Sequence, residues 1–265
     1  MSLGRALRLP SDMLDPLSVA LLSKRVENRV VGGQCGIMDQ LAVTHPGATR
    51  TTVKPLVGMR CRMPLVEFPT YSLPLQEGLS VVALESGAKR STVSTSYERV
   101  RTGAAVGKAI LESCIEEKIQ HLCDIAPSEF AMHKDRLPES MTRRQIATQF
   151  QTMLFSEDCC GDDEYGTTYP VREATRFPIG ENIRVQMFEN VLRGLESHPI
   201  SREKSLPLLG ELMRQSHAGY SKCGLGTKAT DWLVDALNTG SSGVVGAKIS
   251  GGGGGGAVVA LVHDS

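Results

Sequence analysis

The stretch Val244–Val262, VVGAKISGGGGGGAVVALV, sets six consecutive glycines between two apolar segments. Glycine repeats usually read as flexible linkers, and linkers are bordered by polar residues. Here the borders are β-like, VVGAKIS before and AVVALV after. The reading is a strand, a glycine turn, and then a strand or helix start. Gly251 to Gly256 form a packed loop whose bare backbone lies close to something else. Six glycines satisfy the dinucleotide pattern G-x-G-x-x-G trivially, so that fingerprint carries no weight.

Upstream of this segment the apolar period is helical. Ile183–Leu195 and Leu206–Tyr220 read as helices, followed by the loop SKCGLGTK and a short helix around Trp232. Ser96–Gln120 reads as a long helix, and the proline-punctuated IAPSEFAMHKDRLPESM after it as short helices joined by turns. The acidic SEDCCGDDEYGTT, Ser156 to Thr168, has no apolar period and reads as an exposed loop. Nearer the start, LSVVALESG, Leu79 to Gly87, is a strand. Thr51–Ser80 is broken by Pro55, Pro64, Pro69 and Pro74 into pieces that fit strands and turns of an antiparallel sheet. In Asp15–Asn28, Leu17, Val19, Ala20, Leu21, Leu22 and Val26 recur at near-helical spacing, predicting a helix packed on one face. No internal repeat is present, and strands and helices interleave without regular βαβ alternation, which predicts an α+β fold.

With 265 residues, 41% of them apolar, the chain can bury a substantial core in one large domain or two small ones. Its 29 basic and 29 acidic residues balance, so no long-range field collects nucleic acid or anionic lipid. A small neutral or phosphorylated ligand fits better. No apolar run approaches the roughly 20 residues that cross a bilayer, and Met1–Pro10 lacks a secretory core, so the expected compartment is cytoplasmic. The seven cysteines are scattered, and the only close pair, Cys159 and Cys160, lacks C-x-x-C spacing. They read as reduced thiols with no metal site.

Two further motifs carry candidate chemistry. GAAVGKA, Gly103 to Ala109, fails as a phosphate loop on its glycine spacing and on the missing Ser or Thr after Lys108, and reads as a helix surface. GGQCGIMDQ, Gly32 to Gln40, lets the backbone turn close to a ligand and places Asp39 at a helix start, where its carboxylate is either a simple N-terminal charge or a held functional group. His217 and Arg184 read as packing or pairing residues.

CGIMDQ resembles the sugar-site signature of the galactokinase-type GHMP kinases. KRVEN ahead of it, ESGAKRSTVSTSYERVRTGAAVGK, LCDIAPSEF, LPESM, YPVREATRFPIGENIRV, QSHAGYSKCGLGT and GAKISGGGGGGAVV follow in family order, aligned with the plant-type L-arabinokinase branch. The resemblance implies a two-lobe GHMP-kinase architecture with a truncated N-terminal lobe. Residues 1–83 would be the remnant of that lobe, and 84–265 the C-terminal lobe ending in the family's third motif. It implies an ATP-dependent kinase acting on the anomeric hydroxyl of a small sugar, L-arabinose or D-galactose, with ATP and Mg²⁺ as its cofactors. Asp39 would be the catalytic base or orienting acceptor, and Gly36 would offer the sugar a backbone contact. Tyr97 would bond a ring hydroxyl, unless it packs as a helix-start aromatic under the sheet. Gly251, Gly252, Gly253, Gly254, Gly255 and Gly256 would form the turn beside the ATP phosphates.

The chain also departs from the family. The first motif, an acidic and basic sugar cluster, and the second, the phosphate loop, find no counterpart, and Gly254 stands where the third motif usually carries serine. Phosphoryl transfer relies on positioning and charge stabilisation, so these residues alone are expected to have negligible activity. Two other functions stay open, a non-catalytic sugar-binding or regulatory pseudokinase and a folded remnant without ligand. Oligomeric state is not legible.

Overall fold

Asp15 and Pro16 start the first helix. The Asp15 carboxylate accepts from the Leu17 and Ser18 amides at 3.0 Å each, and Pro16 takes the first helical position, where its missing N–H is of no consequence. The computed structural model describes residues 15–31, 37–44, 52–54, 65–67, 78–89, 95–150, 167–197, 202–240 and 243–263. They divide into two compact units, residues 1–77 and 78–265.

In the first unit, helix α1 (Pro16–Val26) runs into a π-helical turn, Glu27–Val31, and is followed by helix α2 (Met38–Thr44). Ala20, Ile37 and Leu41 form a small core with Leu17 and Leu21 against it. Gln40 Nε2 donates to Glu27 Oε2 at 2.6 Å, tying α2 to the π turn. Leu22 and Val26, expected on the buried face, are 54% and 47% exposed. Strands β1 (Thr52–Lys54) and β2 (Leu65–Glu67) pair antiparallel, with Thr52 opposite Glu67.

The second unit is built on a three-stranded antiparallel sheet of β3 (Leu79–Glu85), β6 (Val244–Ile249) and β7 (Ala257–His263), in the order β3-β7-β6. The segment after the glycines is thus a strand. It pairs with β3 along the whole length of β3, Leu79 opposite His263 and Glu85 opposite Ala257. The contact division between Glu77 and Gly78 keeps the whole of β3 in the second unit.

Between β3 and β6 the chain is largely helical: α3 (Thr95–Ile115), α4 (Pro127–His133), α5 (Arg143–Phe150), α6 (Arg172–Ser197), α7 (Arg202–Lys222) and α8 (Lys228–Gly240). Short strands β4 (Ser140–Thr142) and β5 (Thr168–Pro170) pair antiparallel. The LPESM segment, expected to be turns and short helices, therefore ends in a strand. Residues 156–166 of the expected acidic loop lie outside the described residues.

Local chemistry explains two helix starts. Thr142 and Gln145 make a reciprocal cap, Thr142 N donating to Gln145 Oε1 at 2.8 Å and Gln145 N to Thr142 Oγ1 at 3.3 Å. Thr227 and Thr230 do the same ahead of α8. The main core joins Val106 and Leu111 of α3 to Phe130, Leu137, Ile146, Tyr169 and Ile179. Each such side chain contributes about 1.5–3 kcal/mol by leaving water. A second core packs Val234 of α8 on Ala247, Val258 and Ala260 of the sheet. Side chains cover the outer edge of β6: the Ala247 amide donates to Asn238 Oδ1 at 3.0 Å and the Ile249 amide to His217 Nδ1 at 3.4 Å. No described helix is long and apolar enough to cross a membrane.

Candidate functional site

β6 ends at Ile249, and the Ser250 amide donates to the Ala257 carbonyl at 3.0 Å, closing the hairpin around the glycines. Five of the six have positive φ: Gly251 at 72°, Gly253 at 77°, Gly254 at 73°, Gly255 at 117° and Gly256 at 83°. Any other residue would be strained at these angles, so the turn needs its glycines. Its surroundings need them as well. A Cβ on Gly253 would stand 2.6 Å from the Leu225 carbonyl oxygen, and one on Gly255 would stand 2.7 Å from that of Ala88.

Those two carbonyls hold the turn from both sides. Leu225 O accepts from the Gly254 amide at 2.8 Å and Ala88 O from the Gly256 amide at 3.0 Å, while Gly256 O accepts from Ser86 at 3.0 Å. The glycines are therefore a packed turn clasped between the end of β3 and the loop joining α7 to α8.

The last turns of α7 complete the cradle. Tyr220 OH donates to the Gly251 carbonyl at 2.9 Å. One turn earlier, buried His217 accepts from Ile249 through Nδ1 and faces Asp231 Oδ1 through Nε2 at 3.3 Å. Asp231 Oδ1 also accepts from Ser221 Oγ at 2.8 Å. Behind Tyr220 the contacts continue into α6. Phe177 meets its ring edge-on with centroids 5.0 Å apart, and Arg184 lies 5.7 Å above Phe177. Arg184 Nε donates to Glu181 Oε2 at 2.7 Å, and Glu181 Oε1 accepts from Ser216 at 2.6 Å.

Burial shapes the charges here. It pushes the His217 pKa down, against the upward pull of Asp231 and Asp235. Lys248 is also held below the usual lysine range, by burial first, although Glu181 opposes the shift. Burial, with Glu173 nearby, pushes the Cys223 thiol up to about 12, so Cys223 is a packing residue whose Sγ donates to the Glu173 carbonyl.

The other expected site residues belong to other elements. Asp39 lies exposed in the first turn of α2, in the first unit. Tyr97 lies half-buried in the first turn of α3, in the second unit. Gly36 falls outside the described residues. Gly103 and Gly107 of GAAVGKA do not form a free helix surface, because a Cβ on either would collide with Pro170 or Thr175. Sequence reasoning missed the cradle formed by His217, Tyr220, Leu225 and Asp231. Its only signal was the i, i+3, i+4 spacing of His217, Tyr220 and Ser221 on one helix face.

Residues 192–265 match the family GHMP kinases C terminal, the segment that spans the end of α6, both cradle helices and the glycine hairpin. The L-arabinokinase of Arabidopsis thaliana is 28% identical over 294 residues, covering 95% of this chain and 26% of that protein. The galactokinase of Roseiflexus sp. (strain RS-1) is 25% identical, covering 93% of this chain and 51% of its own length. The chain thus spans about half or less of these relatives. The crystal structure of Lactococcus lactis galactokinase complexed with galactose shares the fold, with a TM-score of 0.61 at 20% identity over 94% of this chain and 52% of that one. Residues 192–265 thus carry the GHMP kinase C-terminal segment, and over most of its length the chain is similar to L-arabinokinase and galactokinases.

Proposed function

We propose that these residues serve an ATP-dependent sugar 1-kinase, which transfers the γ-phosphoryl group to the anomeric hydroxyl of L-arabinose or D-galactose. The glycine turn carries this reading. Clasped by Ala88, Leu225 and Tyr220, it is a fixed stretch of bare backbone that a nucleotide can approach closely. The names of the relatives, L-arabinokinase and galactokinase, point the same way.

On this reading Asp39 accepts from the anomeric hydroxyl, as base or as orienting group, Gly36 offers the sugar a backbone contact, and Tyr97 bonds a ring hydroxyl. Gly251 to Gly256 shape the wall beside the phosphates. Such chemistry depends on groups held in place before the reaction, which a clasped turn supplies and a mobile one does not. Among the described residues no three His, Cys, Asp or Glu stand together; Mg²⁺ in such a reaction is held mainly by the substrate phosphates and water, with one or two carboxylates. The residues assigned here position sugar and nucleotide. The reading places the protein in the cytoplasm.

The test is sugar-dependent ADP release by the full-length natural protein, with L-arabinose and D-galactose compared. Asp39→Asn is expected to lower kcat by at least about a hundredfold, in the range lost when a general base or a charge-stabilising group is removed. Turnover that survives Asp39→Asn unchanged would remove Asp39 from the chemistry. Sugar binding without any ADP release would leave a sugar-binding pseudokinase in place of an enzyme.

A further inference from the structure

The side chain with the most specific hold on the glycine turn is His217. Its ring is buried at 7% exposure between three elements: its own helix α7, the end of β6 and the start of α8. Nδ1 accepts the Ile249 amide, so it carries no proton, and the ring's one proton sits on Nε2, facing Asp231. The ring is thereby fixed as the neutral Nε2–H tautomer. Ile249 is the last residue of β6, and two residues later Gly251 takes its hydrogen bond from Tyr220, one helical turn beyond His217. A single face of α7 therefore grips the entry to the turn at two points, one amide and one carbonyl.

We propose that His217 is the positioning residue of the glycine turn: in its neutral Nε2–H form it fixes Ile249 and the glycines after it, and protonation releases them. A second proton can only be added at Nδ1, where it would point at the Ile249 amide hydrogen. Two donors cannot share that contact, so either the ring or the strand end must move. The charged groups around the ring are Asp231 and Asp235 on α8, which favour protonation, and Lys248 on β6, which opposes it. Across α7, Ser216 engages Glu181, and Glu181 is neutralised by Arg184. Desolvation outweighs the two aspartates and holds the ring below its ordinary 6.5. The neutral form is thus favoured in the folded state. Its contribution is complete above about pH 6.5 and is lost as the pH falls, because the unfolded chain takes up the proton first.

This inference rests on the nucleotide reading only for its functional consequence, and the two can fail separately. The experiment is amide hydrogen exchange of the 265-residue chain between pH 5 and 8, corrected for intrinsic rates, with ¹⁵N-histidine spectra recorded on the same samples. At pH 8 the His217 spectrum is expected to show an unprotonated Nδ1 and a protonated Nε2. Protection at Ile249–Gly252 is expected to fall about two- to tenfold as the ring protonates, the range for one hydrogen bond. The α3 amides around Val106 and Leu111 serve as the folding control. His217→Asn keeps an acceptor near the Ile249 amide and should retain the protection but lose its pH step, and His217→Phe should lose the protection at every pH. The wild-type titration decides the matter even if a variant does not fold. An Nδ1–H tautomer, or protection at Ile249 indifferent to ring protonation, would overturn the proposal. ATP titrations of the same samples separate the two readings: exchange that follows His217 while ATP affinity does not would keep the latch and remove the nucleotide from the turn.

Discussion

Gly253→Ala and Gly256→Ala test whether the glycine turn is held by its neighbours or only by its own backbone. Both residues have left-handed φ, 77° and 83°, so alanine at either is strained by about 1–2 kcal/mol. There the two sites part. At Gly256 a Cβ finds nothing within 4 Å, whereas at Gly253 it meets the Leu225 carbonyl oxygen at 2.6 Å and the Leu225 Cβ at 2.8 Å. The first of these is backbone and is anchored by the Gly254 amide, so it cannot swing aside as a side-chain tip would. Overpacking of that kind adds about 1–3 kcal/mol. Gly253→Ala should therefore destabilise by about 2–5 kcal/mol and Gly256→Ala by about 1–2 kcal/mol. Urea unfolding followed by far-UV circular dichroism measures both, with the slope checked to be common to the two variants. Equal midpoints would show that the turn does not lie against Leu225, and the clasp would be wrong.

Other substitutions should separate packing from propensity. Gly107→Ala in α3 drives a Cβ into Thr175 of α6 and is expected to destabilise by about 1–3 kcal/mol, whereas exposed Gly194→Ala in α6 meets nothing and should stabilise by about 0.5–1 kcal/mol. Both are read from thermal midpoints, and a matching sign would contradict the α3–α6 packing. Cys223, with its thiol pushed up to about 12, should resist iodoacetamide at pH 8 in the folded chain and react readily in urea, while half-buried Cys114 is alkylated in both. Peptide mass mapping reads the difference.

Much of the fold was legible because glycine and periodicity are strong signals. The strand, glycine turn and strand lie where the sequence put them, and the open choice after Gly256 resolved to a strand because β7 has β3 to pair with. Helix starts were less legible. α6 begins at Arg172 and α7 at Arg202, ahead of the Ile183 and Leu206 at which the sequence reading began them, and Pro178 and Pro207 lie inside the observed helices. Each removes one backbone donor, a loss that tertiary packing offsets here: Ile179 next to Pro178 and Leu209 two residues after Pro207 are buried. β4 and β5 were missed because each is three residues long, too short to show a period, and each exists only through its partner.

The site divides along the same line. The glycines announce themselves, since six in a row sit between two β-like apolar segments. What makes them a site is the set of groups that hold them, and those are ordinary residues in ordinary places: a leucine carbonyl, an alanine carbonyl, a tyrosine and a histidine on a helix. A lone His reads as packing, and by burial His217 is packing. Only its two nitrogens, one receiving the amide of the last strand residue and the other turned to Asp231, separate it from a hundred such histidines. That distinction depends on Asp231 and Ile249 arriving from elements 14 and 32 residues away, and no spacing rule on one helix encodes it. A close packing of α7 on β6 makes the meeting geometrically certain, and Gly210 permits that approach because a Cβ there would collide with the Val245 carbonyl. Gly210 thus belongs to the site as surely as the turn glycines do, although it lies about three turns of helix from Tyr220, the α7 residue that touches them.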